Sequence, residues 1–285
     1  MSTERATQTH STGARSAQAH ATAAHSADGT AIAYETHGDG PGVILIDGAM
    51  CSRDAGPMRP ICAQLDEDFT VLIYDRRGRG QSADTPPYSV DRELEDLDVL
   101  LRTLTEAAGS ASPPALVGIS SGGALALRAA ARFGDRVRSV VVYEPPFMPD
   151  DLVEGARDYT DALGKALASG DRDTALELFL GRVGMPEQAI AGMRQSPAWQ
   201  GMTGIAPTLA YDDAVLGDST VPVELVASIA VPVLALAGDA NAMLQYGARE
   251  VGAACGSGTF DVLAGQTHDV DATVFAARIR GFLRP

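Results

Sequence analysis

Apolar residues in this chain fall into short solid runs separated by longer amphipathic stretches. Val43-Ile-Leu-Ile46, Thr70–Tyr74, Ala115–Ile119, Ser139–Tyr143 and Val231–Ala237 are apolar almost throughout. A run of that length without polar alternation predicts a strand buried on both faces of a sheet. Thr30–Thr36 alternates as a further strand, and Thr259–Leu263 ends the series. Between the runs the period becomes helical. Leu94, Leu97, Leu101 and Leu104 form one stripe of a helix over Val90–Ala108. Other helices are expected near Pro57–Leu65, Ala124–Phe133, Ala242–Ala254 and Val270–Leu283. Strands alternating with helices predict an α/β fold, a parallel sheet covered on both faces.

The rhythm breaks after Pro146. Residues 147–225 hold no convincing strand and predict a helical cap inserted into the core. Leu152, Ala156, Tyr159, Leu163 and Leu167 mark one helix, and Leu176, Phe179 and Val183 a second. Pro186–Met193 reads as a third, with proline in its first turn, and Thr208–Leu216 as a fourth. The core is then 28–146 joined to 226–285. Residues 1–27 carry few large apolar groups and predict a disordered tail, with a first edge strand near Ala21–Ser26. They lack the apolar centre of a secretory signal.

A length of 285 residues fits one α/β domain with an insertion. The formal net charge of −15 argues against nucleic acid and anionic membranes as partners. No apolar run reaches the ~18 residues of a membrane span. The three cysteines, Cys51, Cys62 and Cys255, show no C-x-x-C spacing. They fit a reducing, cytoplasmic setting and neither a disulfide framework nor a zinc site. The oligomeric state stays open.

Candidate chemistry centres on Gly118-Ile-Ser120-Ser-Gly122, a G-x-S-x-G pattern between a predicted strand and a predicted helix. In that context a serine sits on a sharp strand-to-helix turn with its hydroxyl exposed at the sheet edge. The glycines are needed because flanking backbone approaches too closely for a Cβ. A serine hydroxyl needs a base. His10, His20 and His25 lie in the tail, so His37 and His268 remain. His37 precedes the third strand and is expected at the opposite end of the sheet. His268 follows the last strand. Gly38-x-Gly40 and Gly78-x-Gly80 lack the third glycine of a dinucleotide loop, and neither a P-loop nor H-E-x-x-H occurs. No metal or organic cofactor is expected.

Together these features resemble the α/β-hydrolase family over about residues 28–285. Asp75-Arg-Arg-Gly-Arg-Gly-Gln-Ser82 is similar to that family's D-x-R-G-x-G-x-S turn after the fourth strand. A helical insertion after the sixth strand and one histidine after the last also match. The resemblance implies an eight-stranded, mostly parallel sheet with its site at the C-terminal edge beneath the cap. It implies Ser120 as nucleophile and His268 as base.

The third member departs from the usual pattern. The family's usual aspartate position, three residues after the glycine ending the seventh strand, holds Asn241. Glu144, at the family's other acid position after the sixth strand, is the preferred acid. Asp239 is the alternative, and a dyad without an acid the third reading. Each carboxylate also has a plain structural role open to it: Glu144 as an arginine partner, Asp239 as a helix N-cap. The resemblance further implies an oxyanion hole from the N–H groups of Ala49 and Ser121. Asp47-Gly48 stands where the family normally has His-Gly, so the acid is expected to point away or to pair with Arg53 or Arg76. Phe147, Met148 and Trp199 are expected in the substrate pocket, within a cap that also supplies Met185, Met193, Met202, Tyr159 and Phe179. The expected activity is cofactor-free hydrolysis of a small apolar ester, lactone or related acyl substrate through an acyl-enzyme. Acyl transfer, and a non-hydrolytic cyclase, lyase or ligand-binding use of the scaffold, are the rival readings.

Overall fold

Each solid apolar run forms a strand with no face left to solvent, which is what a central position between two helical layers requires. The computed structural model describes residues 22–109 and 112–284. In chain order they form β1 (Thr22–His25), β2 (Ala31–His37), β3 (Gly42–Ile46), α1 (Met58–Leu65), β4 (Thr70–Tyr74), α2 (Val90–Ala108), β5 (Ala115–Ile119), α3 (Ser121–Phe133) and β6 (Val140–Tyr143). A helical insertion follows: α4 (Val153–Ala168), α5 (Arg172–Arg182), α6 (Glu187–Met193), α7 (Ala198–Ile205), α8 (Leu209–Leu216) and α9 (Val223–Ala227). The core then resumes with β7 (Val233–Gly238), α10 (Ala242–Ala254), β8 (Gly258–Leu263) and α11 (Ala272–Leu283).

The eight strands form one sheet in the order β1-β2-β4-β3-β5-β6-β7-β8. β1 and β2 run antiparallel, and every pairing from β4 to β8 is parallel. Residues of α2, α3 and α10 pack on one face, and those of α1 and α11 on the other. Leu94, Leu97, Leu101 and Leu104 are all buried, as their spacing predicts. His37 pairs with Val71 near the start of β4, which puts it at the N-terminal edge of the parallel strands.

The first edge strand lies where the sequence puts it: residues 22–25, at the end of the stretch read as a tail, pair with β2, and Ala24 is buried. The tail reading for residues 1–21, with His10 and His20, lies outside the described residues. The insertion carries six helices where the sequence predicts four. The unpredicted α7 holds Gly201 and Gly204, poor helix formers, and α9 is only five residues long. Both are held by packing. Trp199 of α7 joins Leu163, Leu176, Leu180 and Leu209 in a core that belongs to the insertion itself.

The D-x-R-G-x-G-x-S turn is fixed by its own side chains. Asp75 accepts from the amides of Arg53 and Gln81 at 2.7 and 2.9 Å, and Ser82 Oγ donates to Asp75 O at 2.6 Å. Buried Arg77 donates to both oxygens of Asp96 on α2, at 2.8 and 2.7 Å.

Candidate active site

Ser120 occupies φ 55°, ψ −128° between β5 and α3. For a residue with a side chain such a conformation costs about 1–3 kcal/mol and persists only where its surroundings enforce it. The glycines show how. A Cβ on Gly118 would lie 2.3 Å from Gly122 O, and one on Gly122 2.3 Å from Ile46 O. Gly48 presses on the serine itself, since a Cβ there would lie 3.0 Å from Ser120 Cβ. The Asp47–Met50 loop and the turn are therefore in direct contact. Ser120 stays partly accessible while Ser121 is buried at the head of α3.

The neighbouring strand brings the acid. Ser120 N donates to Tyr143 O at 2.9 Å, so Glu144 emerges beside the turn. Glu144 has φ 46° and is fully buried. Its Oε1 accepts from Gly238 N at 2.9 Å, and its Oε2 lies 2.7 Å from His268 Nδ1. The Tyr143 hydroxyl donates to Thr267 O, the carbonyl just before His268. One dipeptide, Tyr143-Glu144, thus ties the serine turn to the histidine loop. The His268 side chain is 47% exposed. Among the described residues no hydrogen bond joins its Nε2 to Ser120 Oγ; its Nδ1 is the ring nitrogen that is held.

Asp239 is not on the histidine. Its Oδ2 accepts from Gly265 N at 2.9 Å. The N-cap role expected for Asp239 belongs to Asn241, whose Oδ1 accepts from Met243 N and Leu244 N at 3.0 and 3.3 Å. Asn241, the departure from the usual acid position, begins α10.

A buried ionic cluster lies behind the turn. Asp212 of α8 accepts from Ser121 Oγ at 2.7 Å, from Arg76 Nη1 at 2.7 Å and from Arg79 Nη2 at 2.5 Å. Arg76 also pairs with Glu93 through two 2.8 Å bonds. Burial raises the Asp212 carboxyl, but the Arg79 and Arg76 guanidiniums outweigh it and hold Asp212 below the usual carboxylate range. Local sequence patterns do not reveal Asp212. Its partners sit at the variable positions of the Asp75–Ser82 turn, far away in the chain.

Asp47 is paired with neither expected arginine. Arg53 binds Asp75 and Glu35, and Arg76 reaches only the backbone oxygen of Asp47. Both carboxyl oxygens of Asp47 are buried without a hydrogen-bond partner among the described residues. Burial pushes its pKa up to about 7, against the opposing pull of Arg79 and Arg76. Burial likewise pushes the Cys51 thiol up to about 12, which leaves it unreactive.

The expected pocket residues divide. Phe147 is 1% exposed within the main core, and Trp199 is buried in the insertion with its indole N–H on Asp173. Both are committed to packing. Met148 is buried, and its amide donates to Ser219 O at 2.8 Å. Phe179, Met185, Met193 and Met202 are half-buried on the same cluster as Ala49 and Met50. Insertion and loop thus share one apolar surface next to Ser120. Among the described residues no three metal-ligating side chains converge, and no helix is long and apolar enough to cross a membrane.

The chain is similar to several known proteins. An α/β hydrolase from Sphaerobacter thermophilus is 39% identical, with a TM-score of 0.80 over 92% of this chain and 100% of that one. An esterase from Thermogutta terrifontis and an enol-lactonase from Burkholderia xenovorans are each 21% identical. Their TM-scores are 0.68 and 0.64, over 93% and 92% of this chain and 98% and 99% of theirs, a likeness of fold. An uncharacterized hydrolase, YraK of Bacillus subtilis, is 29% identical over 120 residues, a match spanning 41% of this chain and 42% of that relative. The profile described as the alpha/beta hydrolase family matches residues 52–278, from the end of the loop against Ser120 to well beyond His268. With its eight-stranded sheet and its sharp serine turn, this chain belongs to the alpha/beta hydrolase family.

Proposed function

We propose that this chain is a serine hydrolase of small apolar esters or lactones, working through an acyl-enzyme. The observation that carries the reading is the 2.7 Å contact of Glu144 with His268 Nδ1, made at the strand ends beside Ser120. With Nδ1–H donating to the carboxylate, Nε2 is left as the acceptor a general base needs. Ser120 Oγ forms a bond to the substrate carbonyl carbon as His268 takes its proton. Glu144 stabilises the imidazolium. The carbonyl oxygen, now negative, faces the N–H groups of Ala49 and Ser121, the latter at the positive end of α3. The C–O bond to the alcohol breaks, and that alcohol leaves with the proton from His268. Water then attacks the acyl-enzyme, giving its proton to His268, and the acid departs as Ser120 recovers its hydrogen.

The helical insertion acts as the cap over this site. Its half-buried methionines and Phe179, beside Ala49 and Met50, favour an apolar acyl group. The test is labelling with a fluorophosphonate together with p-nitrophenyl acetate turnover. Wild-type protein is expected to label and turn over, and Ser120→Ala to do neither. Labelling that survives in Ser120→Ala, or no turnover of any short ester or lactone by the wild type, counts against the reading.

A further inference from the structure

The Gly48–Ala49 peptide bond is trans, so it presents its carbonyl on one side and the Ala49 N–H on the other. Whatever fixes the carbonyl fixes the direction of the N–H. Arg79 does so: its Nη1 donates to Gly48 O at 2.6 Å. The Arg79 side chain is fully buried and two further donors go to the insertion, Nη2 to Asp212 Oδ2 at 2.5 Å and Nε to Thr208 Oγ1 at 3.1 Å. Asp212 turns its other oxygen to the second donor's residue, accepting from Ser121 Oγ at 2.7 Å. A single cap carboxylate therefore reaches both halves of the oxyanion hole, one directly and one through Arg79.

We propose that Asp212 and Arg79 are positioning residues for the reaction: Asp212 seats Arg79, and Arg79 aims the Ala49 N–H at the oxygen of a substrate carbonyl held over Ser120. This rests on the reading of Ser120 as nucleophile. The arrangement also has an electrostatic consequence. A guanidinium on the carbonyl side of a peptide polarises it, so the opposite N–H carries more positive charge and is a stronger donor to an oxyanion. It gives the cap a second duty, since a cap displaced from the core would take Asp212 and Thr208 away from Arg79 and loosen the hole. Stability alone is a weak reason for such a cluster, because buried ion pairs are often no more stabilising than apolar residues of equal size.

The experiment compares wild type, Arg79→Met, Asp212→Asn and Thr208→Val in the full chain. Each is assayed with p-nitrophenyl acetate and for inhibition by phenylboronic acid, which binds an active serine as a tetrahedral adduct. Asp212→Asn keeps the shape of the side chain and removes the anion. Its kcat is expected to fall about 10- to 100-fold, short of the ~10²–10³ lost when an oxyanion donor is deleted outright. KM is expected to stay within about twofold, and the boronate Ki to rise by the factor that kcat/KM falls. Thr208→Val, which removes one Arg79 bond and is nearly isosteric, should show the same pattern more weakly. It carries the test with Asp212→Asn if Arg79→Met fails to fold. Folded variants with wild-type kcat and boronate affinity overturn the proposal, and so does a rise in KM alone. In either case an active wild type leaves the hydrolase reading standing. A wild type that neither turns over nor binds boronate removes that reading and this one with it.

Discussion

His268 Nδ1 and Glu144 Oε2 are 2.7 Å apart, and Glu144 spends its other oxygen on the Gly238 amide. The carboxylate is therefore clamped between the ends of β6 and β7, with one oxygen left for the imidazole. Glu144→Gln keeps the size of this group but can turn an N–H₂ toward Nδ1, which forces the proton onto Nε2, the wrong tautomer for a base. The expected loss in kcat is about 10²- to 10⁴-fold, the upper end being that of an Asp-to-Asn change in a serine protease triad. Asp239→Asn should leave kcat unchanged, since among the described residues Asp239 accepts only from Gly265 N. Ester kinetics on the two variants check the assignment, and a loss confined to Asp239→Asn would reverse it.

The sharp turn at Ser120 makes a second prediction, about stability. A Cβ at Gly122 would meet the carbonyls of Ile46 and Asp47 at 2.3 and 2.5 Å. Those oxygens belong to a central strand and its first loop residue and have nowhere to go. Gly122→Ala is expected to cost about 3 kcal/mol, at the upper end of overpacking penalties, and to abolish activity by moving Ser120. Gly164, on the exposed side of α4, is the matched control, with nothing within 4 Å of a built Cβ. Gly164→Ala should stabilise by about 0.5–1 kcal/mol through helix propensity alone. Urea unfolding of both variants reads the contrast, and equal effects would deny the crowding at the turn.

The core strands, the leucine stripe of α2 and the serine turn could be read from the sequence because each is a local pattern with a fixed period or spacing. Glu144 and His268 are named only through the family resemblance, which keeps an acid after the sixth strand and a base after the last; the parallel sheet brings both strand ends to one edge, where the two side chains meet at 2.7 Å. The rest depended on distant partners. Asp212 looks like one more polar residue on an amphipathic helix until Arg76, Arg79 and Ser121 are folded against it. Phe147 reads as a pocket aromatic because it follows the last strand before the insertion, yet the chain turns it into the main core. The α7 helix is sequence-poor and packing-rich, so propensity missed what Trp199 secures.

Asn241 looks catalytic by position and is structural by contact. Its side chain accepts from two amides in the first turn of α10. Asn241→Ala is expected to cost about 1 kcal/mol of stability, the ordinary value of an N-cap, and to leave kcat and KM as they are. Asn241→Asp keeps the cap and adds a charge favourable to the helix N-terminus, so it should be at least as stable as the wild type. Thermal unfolding and ester kinetics measured together test this. A large drop in kcat for the alanine variant with little change in stability would place Asn241 in the catalytic machinery.

Asp47 gives the chain a pH dependence whose sign can be worked out. Burial pushes its carboxyl up to about 7 when folded, where an unfolded aspartate titrates near 4. Between those values the unfolded chain has released this proton and the folded chain keeps it. Fewer protons are then bound in the unfolded state, so this group's contribution to stability falls as pH rises through the window and levels off above it. Glu93 and Asp212, held low by arginines, contribute in the opposite sense at acid pH, so the test is the difference between wild type and Asp47→Asn. Asparagine imitates the neutral acid. Its advantage over wild type should be small near pH 4 and grow to roughly 2–4 kcal/mol above pH 7, since each tenfold difference in proton affinity between the folded and unfolded chain is worth about 1.4 kcal/mol. Activity should follow. An ionised Asp47 places a negative charge on the loop that carries the Ala49 N–H and opposes the oxyanion. Wild-type kcat/KM is therefore expected to decline above about pH 7, with Asp47→Asn flat over the same range. Parallel stability and activity profiles for the two proteins would mean that Asp47 is charged throughout.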